Sequence, residues 1–305
     1  IETVDGTAVT ITGLEFDSRR VLPGQLFFAV KGTVSDGHDY IDAAIDKGAK
    51  GVICQELPER LREGVSYIRV ADSNAAMGSI ASAFYGHPSR HLKLVGVTGT
   101  NGKTTTATLL YDMMRGLGYK SGLISTVTYC IDGRCLDSTH TTPDAIRLNS
   151  MLAEMVGVGC DYCFMEVSSH SVVQERIAGL EFVGAIFTNI THDHLDYHGT
   201  FAEYIRAKKL FFDGLPKGAF ALVNADDRNG NVMVQNTVAT VKTFSLKSFA
   251  DFQCRIVETH FDGMLLRIDG AEVWVKFLGR FNAYNLLGVY AAAVLLGADR
   301  HEVLT

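Results

Sequence analysis

A glycine-rich segment, Gly96–Thr105, combines the residue types that hold the phosphates of a nucleotide. It follows the apolar run Leu92–Val97 and precedes a stretch of helical periodicity, Thr104–Leu117, which is the context that a phosphate-binding loop requires. Its glycines allow backbone N–H groups to converge on phosphate oxygens, and the helix N-terminus adds a favourable dipole. We expect Lys103 to contact the terminal phosphates and the Thr104 hydroxyl to bind Mg²⁺. The segment therefore predicts ATP binding.

The spacing of this loop differs from the commonest phosphate-loop pattern. That pattern would place its first glycine at position 97, which is Val97 here. The alternative is a glycine-rich turn with an ordinary exposed lysine. The agreement of strand, loop and helix favours the nucleotide site.

Carboxylates and histidines follow the next two apolar runs. Glu166 ends Tyr162–Val167, and a carboxylate at the carboxyl edge of a parallel sheet points into the crevice where ligands bind. We expect it to bind Mg²⁺, the alternative being a capping or ion-paired glutamate. After Gly184–Asn189, residues 192–198 contain three histidines and two aspartates. Phosphoryl transfer favours Mg²⁺ over zinc there.

The elements that must position these residues alternate between strand-like and helix-like patterns, which predicts an α/β protein. A small α/β domain is expected over residues 1–88, because Gly86–His87–Pro88 reads as a linker. Residues 89–305 are expected to form a second domain. Its nearly continuous apolar runs predict a mostly parallel central sheet, with antiparallel hairpins near residues 260–277 and a final helix, Ala283–Leu296.

Composition excludes several classes of protein. The net charge is -6 with no basic run, so no nucleic-acid partner is expected. No apolar run approaches the roughly 20 residues of a membrane span, and the N-terminus does not resemble a signal peptide. Cys160 and Cys163 lack a second pair to complete a zinc site, so we expect buried thiols in a cytoplasmic protein. A monomer is expected.

The nucleotide loop resembles that of the Mur ligases and of their relatives, the folylpolyglutamate synthases, in which this spacing is normal. The resemblance covers essentially the whole chain. It implies a UDP-binding first domain and a P-loop ATPase domain, with the segment from Phe281 to Asn285 near adenine. The implied nucleotide contacts are Gly99, Thr100, Asn101, Gly102, Lys103, Thr104, Thr105, Asn282 and Asn285.

The same resemblance selects the metal ligands. His194 matches the metal-binding histidine of the family, and Lys208 matches a lysine that carries a carbamate. From its surroundings in the sequence alone, Lys208 would be a solvated helix lysine. The resemblance thus implies that Thr104, Glu166, His194 and carbamylated Lys208 hold Mg²⁺. Lys103, Glu166, His194 and Lys208 are the implied catalytic residues.

Further segments resemble the tripeptide-synthetase branch of the Mur ligases. These are Asp17–Gly32, with the loop that follows it, His140–Asp144 and Ser168–Arg176. They imply binding of UDP-MurNAc-L-Ala-D-Glu, with Arg176 suited to a carboxylate or phosphate. The implied substrate contacts are Ser18, Thr33, Val34, Ser35, Thr141, Thr142, Ser168, Gln174 and Arg176.

The reaction implied is ATP-dependent amide formation through an acyl phosphate, adding meso-diaminopimelate or L-lysine during peptidoglycan synthesis. The family's C-terminal amino-acid-binding domain is expected to follow Thr305, so this chain is expected to bind its ligands but to turn over poorly. Three alternatives remain: a folylpolyglutamate-synthase-like ligase, a MurF-type ligase that adds a dipeptide, and a non-catalytic P-loop module.

Overall fold

The computed structural model describes residues 2–3, 9–32, 35–138, 140–191, 193 and 195–305, with the backbone alone for residues 2, 3, 195 and 196. The chain divides into two units. The first comprises Ile1–His87, Asp144–Ser150 and Gln174–Leu180. The second comprises Pro88–Pro143, Met151–Val173 and Glu181–Thr305.

The first unit is built on a five-stranded sheet. Its elements, in chain order, are β1 (Glu2–Thr3), β2 (Leu14–Glu15), β3 (Leu26–Phe28), a 3₁₀ turn (Gly37–Tyr40), α1 (Ile41–Asp46), β4 (Gly51–Cys54), β5 (Ser66–Arg69) and α2 (Ser73–Phe84). The strand order is β1-β5-β4-β3-β2, with β2 to β5 parallel and β1 antiparallel. Both faces are covered, because Phe27 and Val52 pack in one apolar cluster and Phe28 and Ile53 in another.

The second unit contains an eleven-stranded sheet of order β16-β15-β14-β13-β12-β11-β6-β10-β7-β8-β9. Its strands are β6 (Lys93–Thr98), β7 (Ser121–Ile124), β8 (Thr128–Ile131), β9 (Arg134–Asp137), β10 (Tyr162–Glu166), β11 (Gly184–Phe187), β12 (Phe220–Asn224), β13 (Thr240–Ser245), β14 (Phe252–His260), β15 (Gly263–Ile268) and β16 (Ala271–Val275). Seven adjacent strands, from β14 to β7 in this order, are parallel. The two outer strands at each end, β15 and β16 at one end and β8 and β9 at the other, pair antiparallel.

The remaining helices follow the strands of this sheet. They are α3 (Lys103–Gly116), α4 (Ala145–Gly157), α5 (Ser169–Val173), α6 (Leu195–His198), α7 (Phe201–Asp213), α8 (Gly230–Met233), α9 (Arg280–Leu295) and α10 (Arg300–Leu304), with a 3₁₀ turn at Pro88–Arg90. Gly96 in β6 permits close packing of α7, since a Cβ there would lie 2.4 Å from the Phe211 ring. That contact brings the preceding turn of α7 to the carboxyl end of β6.

The predicted fold class is confirmed: a small α/β unit is followed by a mostly parallel sheet with antiparallel hairpins near the end. The expected final apolar helix, Ala283–Leu296, corresponds to α9, and the short α10, which has no buried residues, follows it. The β8–β9 hairpin was not anticipated. Its strands are only four residues each, and β9 is exposed throughout, so it lacks the alternation that marks a half-buried strand.

The cysteines fall into two groups. Cys160 and Cys163 are buried thiols, as predicted, and burial raises the pKa of Cys160 to about 11. Cys130 and Cys135 lie opposite each other across the β8–β9 hairpin and are joined by a disulfide, which the sequence analysis did not anticipate. Among the helices that the structure describes, each is too short or too polar to cross a membrane.

Candidate active site

The glycine-rich loop lies between β6 and α3, at the carboxyl edge of the sheet. Gly99 and Gly102 have positive φ angles of 150° and 86°. A Cβ on Gly99 would lie 2.0 Å from the Thr188 hydroxyl oxygen, and one on Gly102 would lie 2.4 Å from the Asn285 amide oxygen. Both positions therefore require glycine for space as well as for backbone conformation.

Two residues after β11 hold this loop, and sequence analysis did not single them out. The Thr188 hydroxyl donates to the Asn101 carbonyl at 2.6 Å. The Asn189 side chain accepts from the Asn101 N–H at 3.0 Å and donates to the Asn101 carbonyl at 3.0 Å. Their position at the end of a strand beside β6 was the available signal, because such ends meet at one sheet edge.

Lys103 and Lys208 contact the loop from two different helices. Lys103, the first residue of α3, donates from Nζ to the carbonyls of Gly99 and Thr100, both at 2.9 Å. Lys208 of α7 is 1% exposed and donates to the Gly99 carbonyl at 3.0 Å, with its Nζ 4.6 Å from the Tyr204 ring centroid. Burial lowers the pKa of Lys103. Burial and then the nearby Lys103 charge lower the pKa of Lys208 well below its usual value.

Glu166 is fully buried at the end of β10 and accepts hydrogen bonds on both carboxylate oxygens. Its Oε1 accepts from the Thr104 hydroxyl at 2.9 Å and from the Thr126 N–H at 2.6 Å. Its Oε2 accepts from the Thr126 hydroxyl at 3.2 Å. The Thr104 and Glu166 oxygens are adjacent hard donors, which fits the oxygen ligands that Mg²⁺ takes.

His194 lies outside the described residues, so the structure gives no geometry for this candidate ligand. Among the residues that are described, no three His, Cys, Asp or Glu side chains converge as a metal cluster. The neighbouring His198 contacts the buried Ser169 hydroxyl through Nε2 at 2.9 Å.

A cavity of about 650 Å³ opens beside the loop. Asn101, Gly102 and Thr105 line the end near the loop, and Asn285 of α9 also faces it. Asn282 lies one turn earlier on α9, where its amide oxygen accepts from the Asn285 amide at 3.4 Å. The cavity is thus bounded by the loop at one end and by α9 along one side.

Asp226 organises the far rim of this cavity and was missed by sequence analysis. Its carboxylate accepts from the Ser245 hydroxyl at 2.7 Å, the Leu246 N–H at 2.8 Å and the Tyr284 hydroxyl at 2.8 Å. These bonds lower the pKa of Asp226 although burial opposes them, and they tie the segment after β13 to α9. Such a convergence of distant segments leaves no local pattern in the sequence.

Three of the predicted substrate residues, Thr141, Thr142 and Ser168, are linked to Glu166 by a chain of contacts. The buried Thr142 hydroxyl donates to the Glu166 carbonyl at 2.9 Å and accepts from the Ser168 N–H at 3.5 Å. The Thr141 and Thr126 hydroxyl oxygens lie 3.1 Å apart, within hydrogen-bond distance. All of these residues belong to the second unit.

The first unit has a cavity of its own, of about 580 Å³. Ser18 and Ser35 line it together with aromatic residues, of which Phe16 and Tyr40 are examples. Thr33 and Val34, which complete the predicted set, lie outside the described residues. The remaining candidates, Gln174 and Arg176, also belong to this unit, and the Arg176 guanidinium donates to the Gln174 amide oxygen at 2.6 and 3.0 Å.

Comparison with known proteins identifies two family models in the chain. Residues 97–293 match the Mur ligase middle domain. Residues 10–85 match the domain described as "Mur ligase family, catalytic domain".

Curated relatives match almost the entire chain. The UDP-N-acetylmuramoyl-L-alanyl-D-glutamate–2,6-diaminopimelate ligase of Cytophaga hutchinsonii is 58% identical over 299 residues, covering 98% of this chain and 62% of that protein. The ligase of the same name from Parabacteroides distasonis is 59% identical, with coverages of 97% and 61%. The chain therefore spans about three-fifths of the length of these relatives.

Solved structures reproduce the fold. A UDP-N-acetylmuramoyl-L-alanyl-D-glutamate–2,6-diaminopimelate ligase superimposes with a TM-score of 0.83 at 25% identity, covering 96% of this chain and 61% of that one. MurF from Acinetobacter baumannii gives 0.67 at 19% identity, with coverages of 96% and 62%. A Mycobacterium tuberculosis folylpolyglutamate synthase gives 0.60 at 16% identity and covers 75% of this chain and 61% of its own. The latter two support the fold alone.

Proposed function

The chain belongs to the Mur ligase family, and from that premise we propose that it serves an ATP-dependent ligase that joins a diamino acid to UDP-MurNAc-L-Ala-D-Glu. The observation that carries the proposal is the grouping of Lys103, Thr104 and Glu166 around a glycine loop that borders a cavity of about 650 Å³. The names of relatives that are 58% and 59% identical support this substrate pair.

Those names also support 2,6-diaminopimelate as the incoming amine, in preference to L-lysine. We further propose that residues 1–88 bind the UDP portion and residues 89–305 bind ATP. Ser18 and Ser35 line the cavity of the first unit, whose aromatic lining suits a base. We also propose that the protein is cytoplasmic and monomeric.

In the proposed reaction, the D-glutamate carboxylate attacks the γ-phosphorus of ATP, and the bond to the β,γ-bridging oxygen breaks to release ADP. The amine then attacks the acyl phosphate, loses a proton and expels inorganic phosphate. The loop amides would cradle the phosphates, and Lys103 would turn from the loop carbonyls to the phosphate oxygens as negative charge develops there. Positioning and electrostatics supply the acceleration, so no covalent nucleophile is required.

Thr104, Glu166, His194 and carbamylated Lys208 would hold Mg²⁺. When bound, the ions would neutralise charge on the transferring phosphoryl group. The fit rests on the adjacent Thr104 and Glu166 oxygens, 2.9 Å apart.

Carbamylation of Lys208 would join its Nζ to the carbon of CO₂ and release one proton, giving an anionic oxygen donor. The lowered pKa of the buried Lys208 supports this step, because a larger fraction of the side chain is then the neutral, nucleophilic amine.

The test is phosphate release from ATP by the complete ligase of which we propose this chain is a part, with each substrate omitted in turn. We expect release only when UDP-MurNAc-L-Ala-D-Glu and a diamino acid are both present with Mg²⁺, and faster with 2,6-diaminopimelate than with L-lysine. Phosphate release that requires a folate in place of the UDP-muramoyl substrate would overturn the proposal.

A further inference from the structure

We infer that Thr126 is a positioning residue that couples the magnesium end of the site to the acceptor substrate. The inference rests on the proposed function, in which Glu166 binds Mg²⁺ and Thr141 contacts the UDP-muramoyl peptide. Thr126 lies in the turn between β7 and β8, and nothing in the sequence pattern singled it out.

The Thr126 hydroxyl lies between the two groups. Its oxygen is 3.2 Å from Glu166 Oε2 and 3.1 Å from the Thr141 hydroxyl oxygen. A hydroxyl carries a single proton, so it donates to one of these neighbours at a time. Its orientation therefore depends on which neighbour is the stronger acceptor.

The position of the single Thr126 proton determines whether Mg²⁺ strengthens or weakens substrate binding. While the Glu166 carboxylate carries its full charge, it attracts the Thr126 proton, and Thr126 then accepts the proton of Thr141. A cation on Glu166 weakens the carboxylate as an acceptor and lets Thr126 donate to Thr141 instead. The Thr141 proton is then released to the substrate. Mg²⁺ should therefore strengthen substrate binding, and by reciprocity the substrate should strengthen Mg²⁺ binding.

The backbone of Thr126 is fixed by contacts that do not involve its hydroxyl. The Thr126 N–H donates to Glu166 Oε1 at 2.6 Å, and its carbonyl accepts from the Ser138 hydroxyl. The Ser138 N–H also donates to the neighbouring Val127 carbonyl at 3.2 Å. Thr126 itself is exposed, so a valine there fills the same space; it also removes the hydrogen bond to Oε2 of the buried Glu166, which serine retains.

The test is the dissociation constant of UDP-MurNAc-L-Ala-D-Glu, measured by titration calorimetry with and without Mg²⁺. In the unsubstituted protein, Mg²⁺ should tighten binding by about 5- to 30-fold. Thr126→Val should bring that ratio close to one, and Thr126→Ser should restore it. Thr128→Val is the matched control, because among the described residues the Thr128 hydroxyl contacts only the two hairpin strands, at the Leu136 carbonyl (2.9 Å) and the Cys130 sulfur. It should keep the full ratio.

A full Mg²⁺ response in Thr126→Val would overturn the inference, as would an equal loss in Thr128→Val. Substrate binding that ignores Mg²⁺ in the unsubstituted protein would overturn it while leaving the proposed function standing. If the unsubstituted protein failed to bind the UDP-muramoyl substrate at all, the proposed function would fall and the inference with it.

Discussion

Lys103 and Lys208 donate hydrogen bonds to the same acceptor, the backbone carbonyl of Gly99, at 2.9 and 3.0 Å. Two lysine side-chain nitrogens are thus held at one oxygen inside a buried site. Burial lowers the pKa of both side chains, and the charge of Lys103 lowers that of Lys208 further. The arrangement disfavours a second positive charge, which prepares Lys208 to react as an amine.

Replacing Lys208 with Met should stabilise the protein at pH 7. The unfolded chain binds the Lys208 proton with its usual pKa of 10.5, whereas the folded chain binds it more weakly. The free energy of unfolding therefore rises with pH between the folded pKa and 10.5. Met removes this penalty, so the gain should shrink as the pH rises from 7 toward 10.5.

Urea denaturation in CO₂-free buffer at several pH values measures this effect. Lys209→Met is the control on the same helix, because Lys209 is ion-paired with Asp213 at 2.6 Å. If Lys208→Met were no more stable than its parent at pH 7, this would contradict the inference that the folded protein disfavours a charged Lys208.

Gly99→Ala should abolish nucleotide binding. The added methyl group would lie 2.0 Å from the Thr188 hydroxyl and 2.9 Å from the Asn189 carbonyl, so the loop would have to move. Calorimetry with Mg²⁺ and a non-hydrolysable ATP analogue should give at least a roughly 100-fold weaker affinity, equivalent to about 3 kcal/mol. Gly157→Ala is the matched control, since a Cβ there meets nothing within 4 Å. Unchanged affinity in Gly99→Ala would count against the loop as the phosphate site.

In the complete ligase, Glu166→Gln should lower the ligation rate and raise the Mg²⁺ concentration needed for half-maximal rate. The substitution removes a negative charge from a fully buried group beside the Thr104 hydroxyl. We expect a rate loss of about 100-fold or more, the scale found when a group that stabilises transition-state charge is removed. Glu154→Gln changes an exposed glutamate of α4 in the same way and should leave both quantities unchanged. A normal Mg²⁺ requirement in Glu166→Gln would exclude Glu166 as a ligand.

Gly37→Ala should weaken binding of the UDP-muramoyl substrate without changing ATP affinity. A Cβ on Gly37 would lie 2.7 Å from the Val30 nitrogen and 2.8 Å from its carbonyl oxygen, at the edge of the first unit's cavity. Separate titrations with each ligand measure the two effects. Gly218→Ala, where the Cβ would meet nothing within 4 Å, should behave like the parent. Loss of ATP affinity in Gly37→Ala would indicate a general folding defect instead.

Five strands of the parallel sheet could be predicted because almost every residue in them is buried, whereas β13 and β14 are partly exposed and were not predicted. The expected Tyr162–Val167 extends one residue past β10, and the expected Gly184–Asn189 extends two residues past β11. The β8–β9 hairpin could not, because its outer strand is exposed and carries no apolar pattern. The periodicity of apolar residues indicates which positions are buried, so it does not reveal an exposed edge strand.

The candidate site, like the fold, could be predicted only in part. The loop could be predicted because Gly99 to Lys103 form one contiguous motif with a known way of binding phosphates. Thr188, Asn189 and Asp226 were not, because their roles come from contacts with residues 87 positions away or with several separate segments. For Lys208, only the fold reveals the burial that separates it from an ordinary surface lysine.

The most direct test of the account is the Mg²⁺-dependent affinity for ATP, compared between the parent protein and Lys103→Ala. Lys217→Ala, at an exposed position, is the control. The account predicts that the parent and Lys217→Ala bind ATP only with Mg²⁺, and that Lys103→Ala loses this binding while still binding UDP-MurNAc-L-Ala-D-Glu. ATP binding that is unchanged in Lys103→Ala, or that needs no divalent cation, would contradict it.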